Sequence, residues 1–234
     1  MKKHYPILLV SLAVASSASA NLLTNTALTQ AGDGTIAGWE AYGNFSGPDA
    51  DPNAGFGSAW GVADAPVVGN GDGSATFGMN DQLPTADPFW AGADQLMVFQ
   101  HNFWTPDNGA GVAAGALDYG DTFTFSGNVV VSEAYDAGNE GQVFVQFLDS
   151  NWNATYQNIV NIETLDGGDF SIDTAIPADA SLNIVQVGFR NAGVVETAGE
   201  MTFSNLAVTI VPEPSSLGIV FGLVALASLS RRRI

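Results

Sequence analysis

The second half of the chain alternates apolar and polar residues with a period of two. Val143, Val145 and Phe147 share one face of Gln142–Leu148, and Val185, Val187 and Phe189 share one face of 183–190. Phe123 and Phe125 align in 121–132 before Val129, Val130 and Val131. Further runs are Leu96–Trp104, Gln157–Thr164 with Ile159, Val160 and Ile162, and Asp169–Thr174 with Phe170 and Ile172. Alternation rich in β-branched and aromatic residues, broken by turn residues, predicts strands. In 201–211, Met201 and Phe203 share one phase, and Leu206, Val208 and Ile210 share the other. That slip predicts a bulge near Ser204-Asn205.

The first half predicts shorter strands between longer loops. Candidates are Asn21–Leu23, 37–42 with Trp39 facing the core, 59–62 and Ser74–Met79. Asn70-Gly71-Asp72-Gly73 carries turn chemistry. No stretch of the body shows helical periodicity, and no internal repeat is present. The expected fold is all-β: a two-sheet antiparallel β-sandwich, or jelly roll, in one domain spanning residues 21–211.

The two ends differ from this body. Residues 1–20 read as a secretory signal peptide. Lys2 and Lys3 open it, an apolar run from Ile7 to Ala15 follows, and Ala18-Ser19-Ala20 supplies the small residues for signal peptidase, so that Asn21 begins the mature chain. Residues 212–234 hold Pro212-Glu213-Pro214, an apolar stretch 217–229, and Arg231, Arg232 and Arg233. As a helix that stretch would be about 20 Å long, short against a hydrocarbon core of about 30 Å. It suits a transient inner-membrane anchor, with the arginines on the cytoplasmic side.

Charge separates the ends from the body. The net charge is −18, and five of six Lys and Arg residues lie in the terminal segments. Removing five positive charges and Glu213 leaves a body of −18 − 5 + 1 = −22, with Arg190 as its single Lys or Arg. Such a surface repels nucleic acid and anionic lipid and admits neutral ligands or cations. Adaptation to a salty habitat explains it equally well. The absence of cysteine excludes disulfides, cysteine-zinc sites and thiol catalysis.

Pro212, Glu213 and Pro214, followed by the apolar run and Arg231–Arg233, resemble the PEP-CTERM sorting signal of exported bacterial proteins. The resemblance implies an exosortase as processing partner, cleavage near the motif, and a destination at the cell surface or outside it, in the company of extracellular polysaccharide and biofilm matrix. The body resembles galactose-binding-like jelly rolls of carbohydrate-binding modules. The likeness rests on Asn21-Leu22-Leu23-Thr24-Asn25, Gly38-Trp39, Ile176-Pro177-Ala178-Asp179-Ala180 and the closing strands. Those modules often hold a structural calcium ion between an early acidic residue and a late Asp pair. The corresponding places here hold Leu28-Thr29 and Ser204-Asn205, a departure that puts that site in doubt.

Candidate chemistry is limited to ligand binding. Calcium is the one cofactor the loops suit, through Asp49, Asp51 and Asn53, through Asp118 and Asp121, or through Asp166 and Asp169. The plainer reading of each cluster is solvated turn aspartates. Trp90, Trp104, Trp152 and Tyr156 are candidates for stacking on sugar rings, and core packing is the plainer reading of each. His101 lies inside an apolar run and reads as a partnered structural residue, and Arg190 as a partner of carboxylates. No catalytic signature stands out. The leading expectation is a non-catalytic, exported glycan-binding protein. The alternatives are a structural matrix or adhesion protein without a specific ligand, and an enzyme acting on polysaccharide.

Overall fold

The computed structural model describes residues 21–46, 57–58, 67–79, 94–104, 122–177, 182–194 and 198–211. The strands are β1 (Glu40–Ser46), β2 (Gly57–Ser58), β3 (Val67–Gly69), β4 (Ser74–Gly78), β5 (Asp94–Trp104), β6 (Thr122–Glu133), β7 (Glu140–Asp149), β8 (Ala154–Asn161), β9 (Asp169–Ala175), β10 (Leu182–Val194) and β11 (Glu200–Val211). They form two antiparallel sheets, a six-stranded one in the order β2-β1-β5-β10-β7-β8 and a five-stranded one in the order β3-β4-β11-β6-β9. The fold is an all-β sandwich. Both sheets and every described core residue lie within 21–211.

The period-two pattern sets the core. Val143, Val145, Phe147, Val185, Val187 and Phe189 face inward from the six-stranded sheet; Phe123, Phe125, Val129, Met201 and Phe203 face inward from the other. An aromatic file crosses the interior. Trp39 stacks on Phe99 at 4.7 Å, Phe99 on Phe203 at 5.5 Å, and Phe203 on Phe189 at 4.0 Å. Trp39 is therefore a core residue, as expected, although it precedes β1.

The bulge in β11 falls where the phase slips. Its register with β6 shifts between Ser204 and Ala207, and Asn205 takes a φ of 55°. Because of this slip, Met201 and Phe203 before it and Leu206 and Val208 after it all reach the core.

Three departures from the predicted strands have a local cause. Asn21–Leu23 is not a strand. Instead the Asn21 side chain accepts from the Leu23 and Val208 amides and donates to the Leu206 carbonyl, so a side chain does the work of a strand pairing beside the bulge. The strand expected at 37–42 begins only at Glu40, because Gly38 sits at φ 85° in a turn. A Cβ there would meet Thr24 Oγ1. The strand expected to reach Thr164 ends at Asn161, whose side chain caps a 3-10 helix over Ile162–Thr164 by accepting from the Glu163 amide.

The calcium-candidate residues Asp49, Asp51, Asn53, Asp118 and Asp121 lie outside the described residues, as do Trp90, Ala18, Ala20, Pro212, Glu213, Pro214, Arg231, Arg232 and Arg233. Among the described residues no helix is long and apolar enough to cross a membrane.

Candidate functional site

On β5, β7 and β10 the out-of-phase residues point away from the core and build the outer face of the six-stranded sheet. In most sandwiches such positions carry charged, solvated side chains. Here they are amides interspersed with apolar residues and Arg190. Gln186 pairs in register with Asn102 on β5 and with Gln146 on β7, and Gln146 pairs with Gln157 on β8. Glu40 on β1 sits opposite Gln100. Gln100, Gln146 and Gln186 are buried, together with Phe144, Val98 and Leu148 on the same face, so this face is recessed.

The amides form one hydrogen-bonded chain across five strands. Asn102 Nδ2 donates to Glu40 Oε2 at 2.7 Å, and Gln186 Nε2 donates to Asn102 Oδ1 at 3.0 Å. Gln146 Nε2 donates to Gln186 Oε1. Gln146 Oε1 in turn accepts from Gln157 Nε2 at 3.1 Å and from Arg190 Nη2 at 2.5 Å. Arg190 lies over the Phe144 ring, with its guanidinium carbon 4.0 Å from the ring centre, a cation–π arrangement. Every donor in the chain points the same way, toward Glu40, so the bonds polarise one another.

A groove of ≈380 Å³ runs over this chain, lined by Glu40, Gln100, Gln146, Leu148, Trp152, Ala154, Gln157 and Gln186. Trp152 stands at one end, in the β7–β8 turn. It is 58% exposed and takes a φ of 65°, a conformation that costs a bulky residue about 1–3 kcal/mol. Asp149 holds the turn in place. Its Oδ1 accepts from the amides of Asn151 and Asn153 at 2.8 and 2.9 Å, and its Oδ2 accepts from Asn153 Nδ2 at 3.2 Å. The Trp152 amide donates to the Asp149 carbonyl at 3.0 Å. Hydrogen bonds from Asn153 and Asn151 keep the Asp149 carboxyl below its ordinary pKa.

Tyr156, a second sugar-stacking candidate, falls elsewhere. Tyr156 lies on the opposite side of β8 from Gln157. Its ring packs on Phe147 at 5.1 Å, and its hydroxyl lies 3.4 Å from Thr174 Oγ1 on β9, bridging the two sheets at their edge. The Trp104 backbone pairs with Ile184 at the end of β5.

His101 belongs to the core. Its Nε2 lies 3.1 Å from Thr24 Oγ1, its ring stacks on Phe103 at 4.6 Å, and Trp39 meets it edge-on at 5.5 Å. Burial lowers its pKa, and the Asn102 backbone and the charge of Glu40 oppose that shift.

Among the described residues no group of three or more metal-ligating side chains comes together. Asp169 accepts from Asn128 Nδ2 at 2.9 Å, and Gly167 and Gly168 turn at positive φ, so this acidic loop is turn chemistry. A wider hollow of ≈590 Å³ opens between Asn21, Asp72 and the bulge at Ser204-Asn205. Its one described carboxylate, Asp72, is bonded to the Ser74 hydroxyl and amide.

The groove amides were not singled out from the sequence. The signal was present: Gln100, Asn102, Gln142, Gln146 and Gln186 occupy the outward phase of three strands in a chain whose polar surface is otherwise strongly acidic.

The sequence matches no protein-family model, and no curated protein matches it. Among solved structures the chain is similar to the enzymatically active domain of tailspike protein 4 of bacteriophage CBA120, with 12% identity, 82% of this chain covered, and a TM-score of 0.42. It spans only 21% of that tailspike chain. It is also similar to TmCBM61 in complex with β-1,4-galactotriose, with 12% identity over 83% of this chain and 100% of that one, at a TM-score of 0.39. A third similar structure is Family 16 Carbohydrate Binding Module-2, with 13% identity over 66% of this chain and 92% of that one, at a TM-score of 0.35.

Proposed function

We propose that this chain is an exported, surface-sorted, non-catalytic protein that binds an uncharged polysaccharide along the outer groove of its six-stranded sheet. The observation that carries this reading is the amide chain from Glu40 to Gln157 and Arg190, with Trp152 fixed at its end. A sugar ring presents hydroxyls that both donate and accept, around a flat apolar face of C–H groups. Amides and a carboxylate in a fixed row match the first feature, and an exposed indole matches the second. The groove crosses five strands, four spacings of about 4.8 Å, which suits an extended chain of several sugar units. The −22 charge of the body disfavours polyanionic glycans. Glycoside hydrolysis needs two facing carboxyl groups, and among the described residues the groove is lined by one, Glu40.

Titration of residues 21–211 with soluble neutral polysaccharides, by calorimetry and by glycan array, with and without calcium, tests this. We expect binding that Trp152→Ala weakens at least about tenfold, a loss of about 1.4 kcal/mol. Absence of binding to every glycan would leave the structural matrix reading in its place. Export rests on the terminal segments, and mass spectrometry of native surface material tests it separately. The mature chain should begin at Asn21 and lack Arg231–Arg233; an intact tail would refute the processing step.

A further inference from the structure

Four strands end the two sheets, and three of them are poorly suited to pairing with another chain. β2 has two residues and β3 has three. β9 carries Asp169 and Asp173, with Pro177 just beyond it. Short length, charge and proline are the usual devices that keep an edge from pairing. β8 has none of them. Its eight residues, Ala154–Asn161, include no charge and no proline, within a body of net charge −22. Residues 154–157 are exposed, and Tyr156 and Ile159 remain 38% and 39% exposed.

We propose that β8 is a homodimer edge, on which a second copy of this chain pairs antiparallel about a two-fold axis through Asn158. The pleat restricts the register, because residues opposite each other must lie on the same sheet face. With the axis at Asn158, Gln157 faces Ile159 of the second copy, Tyr156 faces Val160, and Asn158 faces its own counterpart. No charge meets a like charge. The same operation on β9, about Ser171, would set Asp169 against Asp173, which is destabilising. An isologous contact needs a self-complementary patch, and β8 is the one long edge among the described strands that satisfies this. Pairing would make the two six-stranded sheets continuous, with the outer faces that carry Gln157 side by side. The carboxylates around the strand are Glu140, which accepts from Asn161 Nδ2 at 2.9 Å, and Asp149 and Glu163, which flank it in sequence, so association should strengthen as salt screens them and the acidic bodies.

The chain contains no cysteine, so one introduced thiol is unique. In an antiparallel pair, opposed Cα atoms lie about 4.5–5.5 Å apart, within disulfide reach. The full chain is examined by sedimentation in low and high salt, alongside Asn158→Cys, Ser171→Cys and Asn158→Asp. We expect a salt-strengthened dimer and an oxidised crosslink for Asn158→Cys that disappears when the oxidation is done in urea. We also expect no crosslink for Ser171→Cys, and a monomer for Asn158→Asp, which opposes two carboxylates at the axis while keeping side-chain shape. Circular dichroism checks that each variant is folded. A monomeric parent chain in high salt overturns the proposal. So does a dimer that Asn158→Asp leaves intact, or an Asn158→Cys crosslink that forms equally in urea. Capture of a different protein by a monomeric parent chain would assign the edge to that partner and overturn it too.

Discussion

The amide chain makes a quantitative prediction about coupling. In Gln186→Leu the volume is nearly kept, but Gln146 Nε2 loses its acceptor inside a residue that is only 6% exposed. An orphaned buried donor costs about 1–3 kcal/mol. Asn102 Oδ1 is half-buried and recovers part of its lost bond from water, and the leucine gains some apolar burial. The net expected loss is about 2 kcal/mol. Gln146→Leu removes more, because Arg190 and Gln157 both donate to Gln146 Oε1. A bond from a charged donor is worth about 1.5–3 kcal/mol, so the expected loss is about 3 kcal/mol. Each single change also orphans the other half of the central bond, a cost that vanishes when both residues are replaced. The double variant should therefore lose about 3–4 kcal/mol instead of about 5, a coupling of about 1–2 kcal/mol. Guanidinium chloride denaturation of residues 21–211 measures this, with an unchanged m-value as the condition for comparing midpoints. Losses that add to within about 0.5 kcal/mol would refute the reasoning, since they would mean the amides act independently.

Three further outcomes follow from the titratable groups. The Asp149 pKa lies below its ordinary value, so the turn that presents Trp152 is fully held above about pH 4 and loosens as pH falls through the lowered folded value; glycan binding that already fails at pH 6 would contradict this role. Burial lowers the His101 pKa, so its contribution is intact above about pH 6.5 and is lost as pH falls below that; the acid loss should be absent in His101→Phe, as read by thermal unfolding between pH 7 and 5. Tyr135 donates to Asn191 Oδ1 at 2.5 Å, and burial raises its pKa, with the charges of Glu163 and Glu200 adding to the effect. Its stability is therefore present below about pH 10 and drains away above it. Tyr135→Phe should cost about 1–3 kcal/mol at neutral pH by orphaning buried Asn191, and its unfolding curve should meet that of the parent chain in alkali.

The core could be read from the sequence because inward packing repeats every second residue, and a single phase slip was enough to place the bulge at Asn205. The site could not be read in the same way. Gln146, Gln186 and Asn102 come from strands far apart in the chain, and the sheet order β5-β10-β7 is set by long-range pairing that no local pattern encodes. Trp152 and Tyr156 are both candidates for stacking on a sugar ring. They part because the register of β7 and β8 shifts between Phe147 and Leu148, which leaves Tyr156 on the inner side opposite Phe147 while Gln157 lies with Gln146 on the outer side. A one-residue irregularity in one hairpin thus decided which of them borders the groove. The strand boundaries at Glu40 and Asn161 were set by a glycine turn and a side-chain cap, both of which act through single residues and leave no period.

The tie between Asn21 and β11 also has a mechanical meaning. Asn21, the first described residue, is fastened beside Leu206 and Val208, close to the end of β11 at Val211. A pull on the chain beyond Val211 would load β11 along its own axis. That strand is clamped in the five-stranded sheet, paired with β6 from Glu200 to Val211 and with β4 along its first half. Such a load must shear many interstrand hydrogen bonds together instead of peeling them one at a time. A load applied through that strand would therefore be met along the direction in which paired strands resist best.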